Sequence, residues 1–337
     1  MQSKNNQKFQ VSFQAQDNYR VMDQNGNEKL AKLSGQLMYN DKRPVVGDYV
    51  NGSPQQDFVL IEQIEPRKSK LTRQTQGTDQ REHVIAANLD YVFITMSLND
   101  DFSLTRLDRY TTLVWDSGAS PVIVLTKADL VSDDERTDLV EQVEDNSIGV
   151  PIIITEQDQV AETLQQFEPY LNNHQNIAFV GSSGVGKSTL VNLLMQRVVA
   201  KTKGIRADDS KGRHTTTSSA LHLLDNGSRV IDTPGIRTVG VANVDEAATQ
   251  QSFADIMELA ANCRFKDCQH NQEPGCAVKA AIEAGELSSS RLNSFRKLQF
   301  ESQYAGLTAK QIEKTKMDRM FSSVGGAKQF KKQLKHK

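Results

Sequence analysis

Gly181-Ser182-Ser183-Gly184-Val185-Gly186-Lys187-Ser188 fits the phosphate-loop pattern G-x-x-x-x-G-K-[ST] at every fixed position. Glycines let the backbone wrap phosphate oxygens closely, while successive N–H groups and a helix N-terminus supply positive potential. Lys187 is expected to contact the β- and γ-phosphates in binding and catalysis. Ser188 is expected to ligate Mg²⁺, with Thr189 beside it. Asp232-Thr233-Pro234-Gly235 lies downstream, Asp232 following Lys187 by 45 residues. There Asp232 can hold Mg²⁺ through water and the Gly235 N–H can sense the γ-phosphate. Upstream, Thr126-Lys127-Ala128-Asp129 has the form of a base-reading loop. The Asp129 carboxylate can accept from the N1–H and exocyclic amine of guanine, and adenine offers no such donor pair. Lys127 can lay its stem over the base. Thr155-Glu156 is expected to form the last base-contacting loop.

The order of these loops is unusual. Asp129 precedes Gly181 by 52 residues, so the base-reading loop comes before the phosphate loop, the reverse of the common GTPase arrangement. Between the phosphate loop and Asp232, Lys211-Gly212-Arg213-His214-Thr215-Thr216-Thr217 is expected to be the first switch. A hydroxyl of Thr216 or Thr217 would complete the Mg²⁺ shell, and the sequence does not choose between them. Ile236 follows Gly235, where many regulatory GTPases place a water-orienting glutamine. Isoleucine cannot do that, so unaided hydrolysis is expected to be slow, and His214 is the local side chain able to approach the γ-phosphate.

A second constellation is Cys263-x₄-Cys268-x-His270-x₅-Cys276, which gathers all three cysteines and one of the six histidines of the chain. Three thiolates and an imidazole make a closed tetrahedral set suited to structural Zn²⁺, with no position for a reactive water. Pro274-Gly275 supplies a turn that returns Cys276 to the metal.

These groups need elements to hold them. Residues 84–241 read as alternating α and β: apolar runs at 91–96, 121–125, 150–154, 176–180 and 228–231 suit a parallel sheet buried on both faces. Leu104, Leu107, Tyr110, Leu113 and Val114 have helical spacing. Residues 1–83 read as short strands and turns without an amphipathic helix, a pattern that fits an OB-fold β-barrel, which commonly binds oligonucleotides. Residues 242–337 read as helices around the Cys/His segment, ending in a basic tail with Lys328, Lys331, Lys332, Lys335 and Lys337. The expected class is therefore multidomain: an OB-fold β-barrel, a circularly permuted α/β P-loop GTPase domain and a C-terminal α-helical zinc-binding domain.

With 337 residues, 37% hydrophobic and 24% charged, the chain can bury cores for two or three domains, and global disorder is excluded. A net charge of −2 argues against a uniformly basic nucleic-acid binder. It leaves room for local patches such as Arg67, Lys68, Lys70 and Arg73, and the tail. Three cysteines and no export signal make a disulfide framework improbable. No apolar run reaches about 18 residues, so a cytoplasmic monomer without a membrane partner is expected.

Taken together, these motifs resemble the circularly permuted small-subunit-biogenesis GTPases of the RsgA (YjeQ) family. Arg43-Pro44-Val45-Val46-Gly47-Asp48 and Ile64-Glu65-Pro66-Arg67 look like its OB domain, and Ala87-Asn88-Leu89-Asp90 like the start of its GTPase domain. Gly212-Arg213-His214-Thr215-Thr216-Thr217 is similar to its first switch, and Cys263-Arg264-Phe265-Lys266-Asp267-Cys268-Gln269-His270 to its zinc segment. The resemblance implies a GTPase that binds the 30S subunit late in maturation, contacts 16S rRNA, is stimulated by the particle and leaves after hydrolysis. The basic clusters would then meet rRNA phosphates. Thr126 stands where the family usually has asparagine, so less side-chain support is expected for the base loop.

Overall fold

The computed structural model describes residues 6–74, 82–172, 174–198, 219–232, 246–271 and 273–303. His214, Thr216, Thr217, Gly235 and the basic tail lie outside the described residues.

Five strands form the front end: β1 (Gln7–Ala15), β2 (Asn18–Met22), β3 (Glu28–Leu33), β4 (Tyr49–Pro54) and β5 (Val59–Ile64). They pair in the order β1-β2-β3-β5-β4 and close through β4 on β1, with β3 and β5 parallel and the remaining pairs antiparallel. This is a closed OB-type barrel around Phe9, Val11, Tyr19, Val21, Val50, Val59 and Ile61. It does contain a helix, contrary to the sequence expectation. α1 (Gly35–Tyr39) is N-capped by Ser34 and inserts only Leu37 into the core, too short a segment to show a helical period.

A hairpin of β6 (Lys70–Gln74) and β7 (Glu82–Ala87) follows, spanning the expected boundary at residues 83 and 84. Its Leu71, Ile85 and Ala86 are buried in the core beneath the nucleotide-binding sheet.

That sheet contains β8 (Tyr91–Ser97), β9 (Ser120–Thr126), β10 (Ile152–Ile154), β11 (Asn176–Val180), β12 (Ser219–Leu223) and β13 (Arg229–Asp232). The order is β10-β9-β8-β11-β13-β12, parallel except for β12. Its helices are α2 (Leu104–Ser117), α3 (Asp133–Asn146), α4 (Val160–Phe167) and α5 (Lys187–Leu194). The apolar runs of the sequence are these strands: every residue of β11 is buried, as parallel strands covered on both faces require.

The barrel and the sheet are continuous. β1 pairs with β4 over Gln7–Gln10, and at Phe13 and Gln14 it pairs with β12. The seam is sealed by amides. Gln10 Nε2 donates to the Gly47 carbonyl and to Asn176 Oδ1, both at 3.2 Å. Asn176 Nδ2 donates to the Asn88 carbonyl at 2.8 Å, and Asn88 Nδ2 to Gly47 at 3.0 Å. Asn88 sits at φ 56°, a left-handed conformation asparagine tolerates. A side chain at Gly47 would meet the Ala87 carbonyl at 2.1 Å, so only glycine lets the two backbones close.

The remaining helices are α6 (Glu246–Ser252), α7 (Ala254–Ala260), α8 (Ala277–Glu283) and α9 (Ser289–Gln303). Phe253, Ile256, Val278, Leu292 and Phe295 share one core cluster with Leu107, Tyr110 and Leu113. Among the described residues no helix is long and apolar enough to cross a membrane.

Candidate functional site

Thr126, Gly181 and Asp232 stand at or just past the C-terminal ends of β9, β11 and β13, on one edge of the parallel sheet. This is the edge where open α/β sheets bind ligands. Spatial order along the edge, not chain order, assembles the site.

The phosphate loop follows β11 and opens α5, with Gly186 as the left-handed N-cap at φ 101°. A side chain at Gly181 (φ 141°) would lie 2.2 Å from the Thr95 carbonyl on β8, so glycine is required to lay the loop against that strand. Lys187 Nζ donates to the Gly181 carbonyl at 2.7 Å and to the Ser182 carbonyl, which stretches the lysine across the mouth of its own loop. Ser183, Gly184 and Thr189 are exposed, Val185 is buried, and Ser182 and Ser188 are half-buried. Asp232 ends β13 as an exposed carboxylate.

The base loop is tied directly to the phosphate loop. Thr126, only 4% exposed, donates from Oγ1 to the Val185 carbonyl at 2.7 Å. The threonine therefore gives the support that its departure from asparagine put in question, because one hydroxyl suffices to reach that carbonyl. Lys127 follows at φ 59°, and Ala128–Leu130 form a 3-10 turn that leaves Asp129 exposed. The 155–157 loop packs alongside: Ala128 N donates to the Thr155 carbonyl at 3.3 Å and Gln157 N to Asp129 Oδ1 at 3.2 Å. Glu156 is held by Arg136 at 2.8 Å.

One residue beside the site was not flagged by any motif. Arg106, in the first turn of α2, donates to Ser182 Oγ at 2.8 Å and to Asp101 Oδ1 at 3.0 Å. The partners are 76 residues apart, beyond the reach of a local pattern.

The Cys/His group closes as its spacing suggested. The ligand atoms of Cys263, Cys268, His270 and Cys276 lie within 4.8 Å of one another. Cys263 Sγ is 3.9 Å from Cys276 Sγ and 3.7 Å from His270 Nδ1, and Cys276 Sγ is 3.5 Å from His270 Nδ1. A tetrahedral zinc ion with bonds of about 2.3 Å to sulfur and about 2.05 Å to nitrogen has edges of about 3.8 and 3.6 Å. The residues fit that ion. Cys276 also N-caps α8, where the Lys279 N–H points at its sulfur at 3.5 Å. Burial opposes ionisation of Cys263, but hydrogen bonds from the N–H groups of Val278 and Ala277 and from the Cys276 and Cys268 thiols together lower its pKa. Burial, then hydrogen bonding of the Cys268 thiol to Cys276 and Cys263 and the charge of Cys263, pushes Cys268 up to about 11, a conflict a divalent cation would relieve.

Of the first basic cluster, Arg67 is already committed. Its Nε and Nη2 form a 2.7 Å fork on the fully buried Asp48 carboxylate, which also accepts from Val45 N at 2.8 Å. A bidentate pair of this kind anchors Arg67 on Asp48. Lys68 and Lys70 are exposed, and the side chain of Arg73 lies outside the described residues.

The model of the RsgA GTPase family matches residues 64–242. A model of the ABC transporter family matches 164–329 and overlaps the first where the phosphate loop lies, leaving the base loop out. A small ribosomal subunit biogenesis GTPase, RsgA 2 of Lactiplantibacillus plantarum, is 47% identical over 331 residues, covering 96% of this chain and 90% of that one. RsgA of Methanosarcina acetivorans is 42% identical over 307 residues, covering 89% and 82%. The crystal structure of YjeQ from Thermotoga maritima superposes with a TM-score of 0.69 at 26% identity, covering 88% of this chain and 98% of that one. YloQ, described as a circularly permuted GTPase, gives 0.63 at 23% identity over 90% and 97%, a likeness of fold. With the family model over 64–242 and relatives 42–47% identical along most of the chain, this chain belongs to the RsgA GTPase family.

Proposed function

We propose that this GTPase acts in late assembly of the 30S ribosomal subunit, binding 16S rRNA in its GTP form and leaving after hydrolysis to GDP and phosphate. The observation that carries this reading is the arrangement of a rigid nucleotide edge with an OB barrel fused to one side of the sheet and a metal-ready helical unit packed on α2. Both flanking units are suited to grip a particle while the nucleotide sets the timing. The name shared by the relatives, small ribosomal subunit biogenesis GTPase, supports the choice of particle.

Within this reading, 1–83 is the ribosome-binding barrel, 84–241 the permuted GTPase domain and 242–337 the zinc domain with its basic tail. Gly181–Thr189 hold the phosphates, with Lys187 as the catalytic lysine. Thr126–Asp129 read guanine. Ser188, Asp232 and one of Thr216 and Thr217 hold Mg²⁺, and the Gly235 N–H senses the γ-phosphate. His214 orients the attacking water, a role open because the residue after Gly235 is isoleucine. Cys263, Cys268, His270 and Cys276 hold one structural Zn²⁺. The protein works as a cytoplasmic monomer. The test is sedimentation with purified 30S and 50S particles in GTP-analogue and GDP forms: selective, analogue-dependent binding to 30S is expected. Equal binding to both particles, or to 30S in both nucleotide states, would refute the assignment.

A further inference from the structure

The first turn of α2 touches two places that the chain order keeps far apart. On one side, Arg106 donates from Nη1 to Ser182 Oγ (2.8 Å) and Asp101 Oδ1 (3.0 Å), and from Nη2 to the Asp101 carbonyl. Ser182 is itself a junction, because its carbonyl accepts from Lys187. On the other side, Asp108, 3% exposed, accepts from Arg291 Nη1 of α9 at 2.5 Å and from Asn146 Nδ2 of α3 at 2.6 Å. Arg291 continues to both oxygens of Asp255 (3.0 Å each) and to the Ser252 carbonyl, with its guanidinium 4.3 Å from the Phe253 ring centroid. Ser294 Oγ donates to Thr105 Oγ1 at 3.4 Å. Residues 105, 106 and 108 thus bind α9, the phosphate loop and the α7–α9 clasp within a single helical turn.

The two ends differ in physical character. The Arg106–Asp101 pair is part-exposed and contributes little stability of its own. Its value is geometric, since the planar guanidinium reaches Ser182 Oγ, Asp101 Oδ1 and the Asp101 carbonyl from two nitrogens held in fixed directions, where a lysine offers a single compact head. In the Asp108–Arg291–Asp255 clasp two largely buried carboxylates share one guanidinium, so losing Arg291 leaves both without their cation. Such a clasp moves as a unit. Between the ends lies less than one turn of an N-capped helix whose Leu107 is fully buried in the common core.

We propose that Arg106 is a positioning residue that registers phosphate-loop occupancy through Ser182 and passes it, through the first turn of α2, to the clasp that seats the zinc-side helices α6–α9. Phosphates entering the loop engage the backbone around Ser182, and a shift of that residue is carried by Arg106 to Asp108. This route is independent of residues 233–245, which lead along the chain from Asp232 to α6. It rests on Gly181–Ser188 holding a nucleotide, and binding is therefore read separately in the test.

The experiment is hydrogen exchange on the full chain, free and saturated with a non-hydrolysable GTP analogue, for the native protein, Arg106→Gln and Ser182→Ala. Binding is followed on the same samples with a fluorescent nucleotide. In the native protein, amides of 252–260 and 289–299 are expected to change protection by roughly 5- to 20-fold on nucleotide binding. In both variants, under nucleotide saturation, that change is expected to fall below about twofold, with protection of the free protein unaltered. Arg106→Lys should behave as Arg106→Gln. A native chain that binds nucleotide without any response in α7–α9, or an Arg106→Gln chain that keeps the full response, overturns the coupling. A native chain that binds no nucleotide overturns the phosphate-loop reading itself. A variant that merely loosens the zinc-side helices would raise exchange without nucleotide too, and that result also counts against the proposal.

Discussion

Replacing Thr126 with valine removes one hydroxyl and changes almost nothing else. The side chain keeps its volume and β-branching, and its site is 4% exposed. What is lost is the 2.7 Å donor to the Val185 carbonyl. Val185 is itself buried, so its carbonyl loses a partner that water does not readily replace. Leaving a buried acceptor in that state costs about 1–3 kcal/mol. In the native protein this bond holds the base loop and the phosphate loop in register before any ligand arrives. Without it, the bound nucleotide must restore the register. A loss of about 1–2 kcal/mol corresponds to a Kd raised roughly 5- to 30-fold. GTP and GDP should be affected alike, because both carry the base and the β-phosphate for which the two loops must be in register. Fluorescence titration with labelled GTP and GDP measures this directly. Thr126→Asn should restore affinity, since a carboxamide donates to the same carbonyl. Native-like Kd values for both nucleotides in a folded Thr126→Val protein would show that the hydroxyl is not the tether. A loss confined to GTP would place its action elsewhere.

Other perturbations test the rest of the account. Cys276→Ser should lower bound zinc from one equivalent to near zero and melt the α7–α8 region, seen by metal analysis and hydrogen exchange, while the phosphate loop still binds nucleotide. Arg291→Ala strands Asp108 and Asp255 without their cation and should destabilise the zinc-side helices by about 3–5 kcal/mol in denaturant unfolding; a change below about 1 kcal/mol would mean that the clasp is not buried in solution. His222, on β12, has its pKa lowered by burial, which outweighs the attraction of Asp232. The unfolded chain therefore takes up the proton first, and stability should fall as pH drops below about 6.5. His222→Gln should flatten that slope in thermal melts between pH 5 and 7; an unchanged slope would assign it to other groups.

The parallel strands were legible because burial on both faces writes them as unbroken apolar runs, as in Asn176-Ile177-Ala178-Phe179-Val180. The barrel was legible only in part. β3 reads Glu28-Lys29-Leu30-Ala31-Lys32-Leu33, with Ala31 its one fully buried residue, so no alternation stands out. α3 was missed for a similar reason. It buries only Val143 and Asn146, and its clearest mark is the cap formed by Ser132 before Asp133, Asp134 and Glu135. Phosphate-loop and metal residues are short-range patterns with fixed chemistry and could be named from spacing alone. Arg106 and the Asp108–Arg291 pair could not, since the latter joins residues 183 apart. Nor does the sequence disclose that Arg67 is spent on Asp48, because a basic run looks the same whether it faces RNA or a buried carboxylate.

In the proposed function a slow GTPase site is set to work by the 30S particle it helps assemble. Multiple-turnover GTP hydrolysis, measured with and without purified 30S subunits, tests it most directly. Weak turnover by the protein alone, strong stimulation by intact 30S particles and none by 50S are expected, with the stimulated rate lost in His214→Ala while nucleotide affinity is kept. Hydrolysis at the same rate with and without 30S subunits would contradict it.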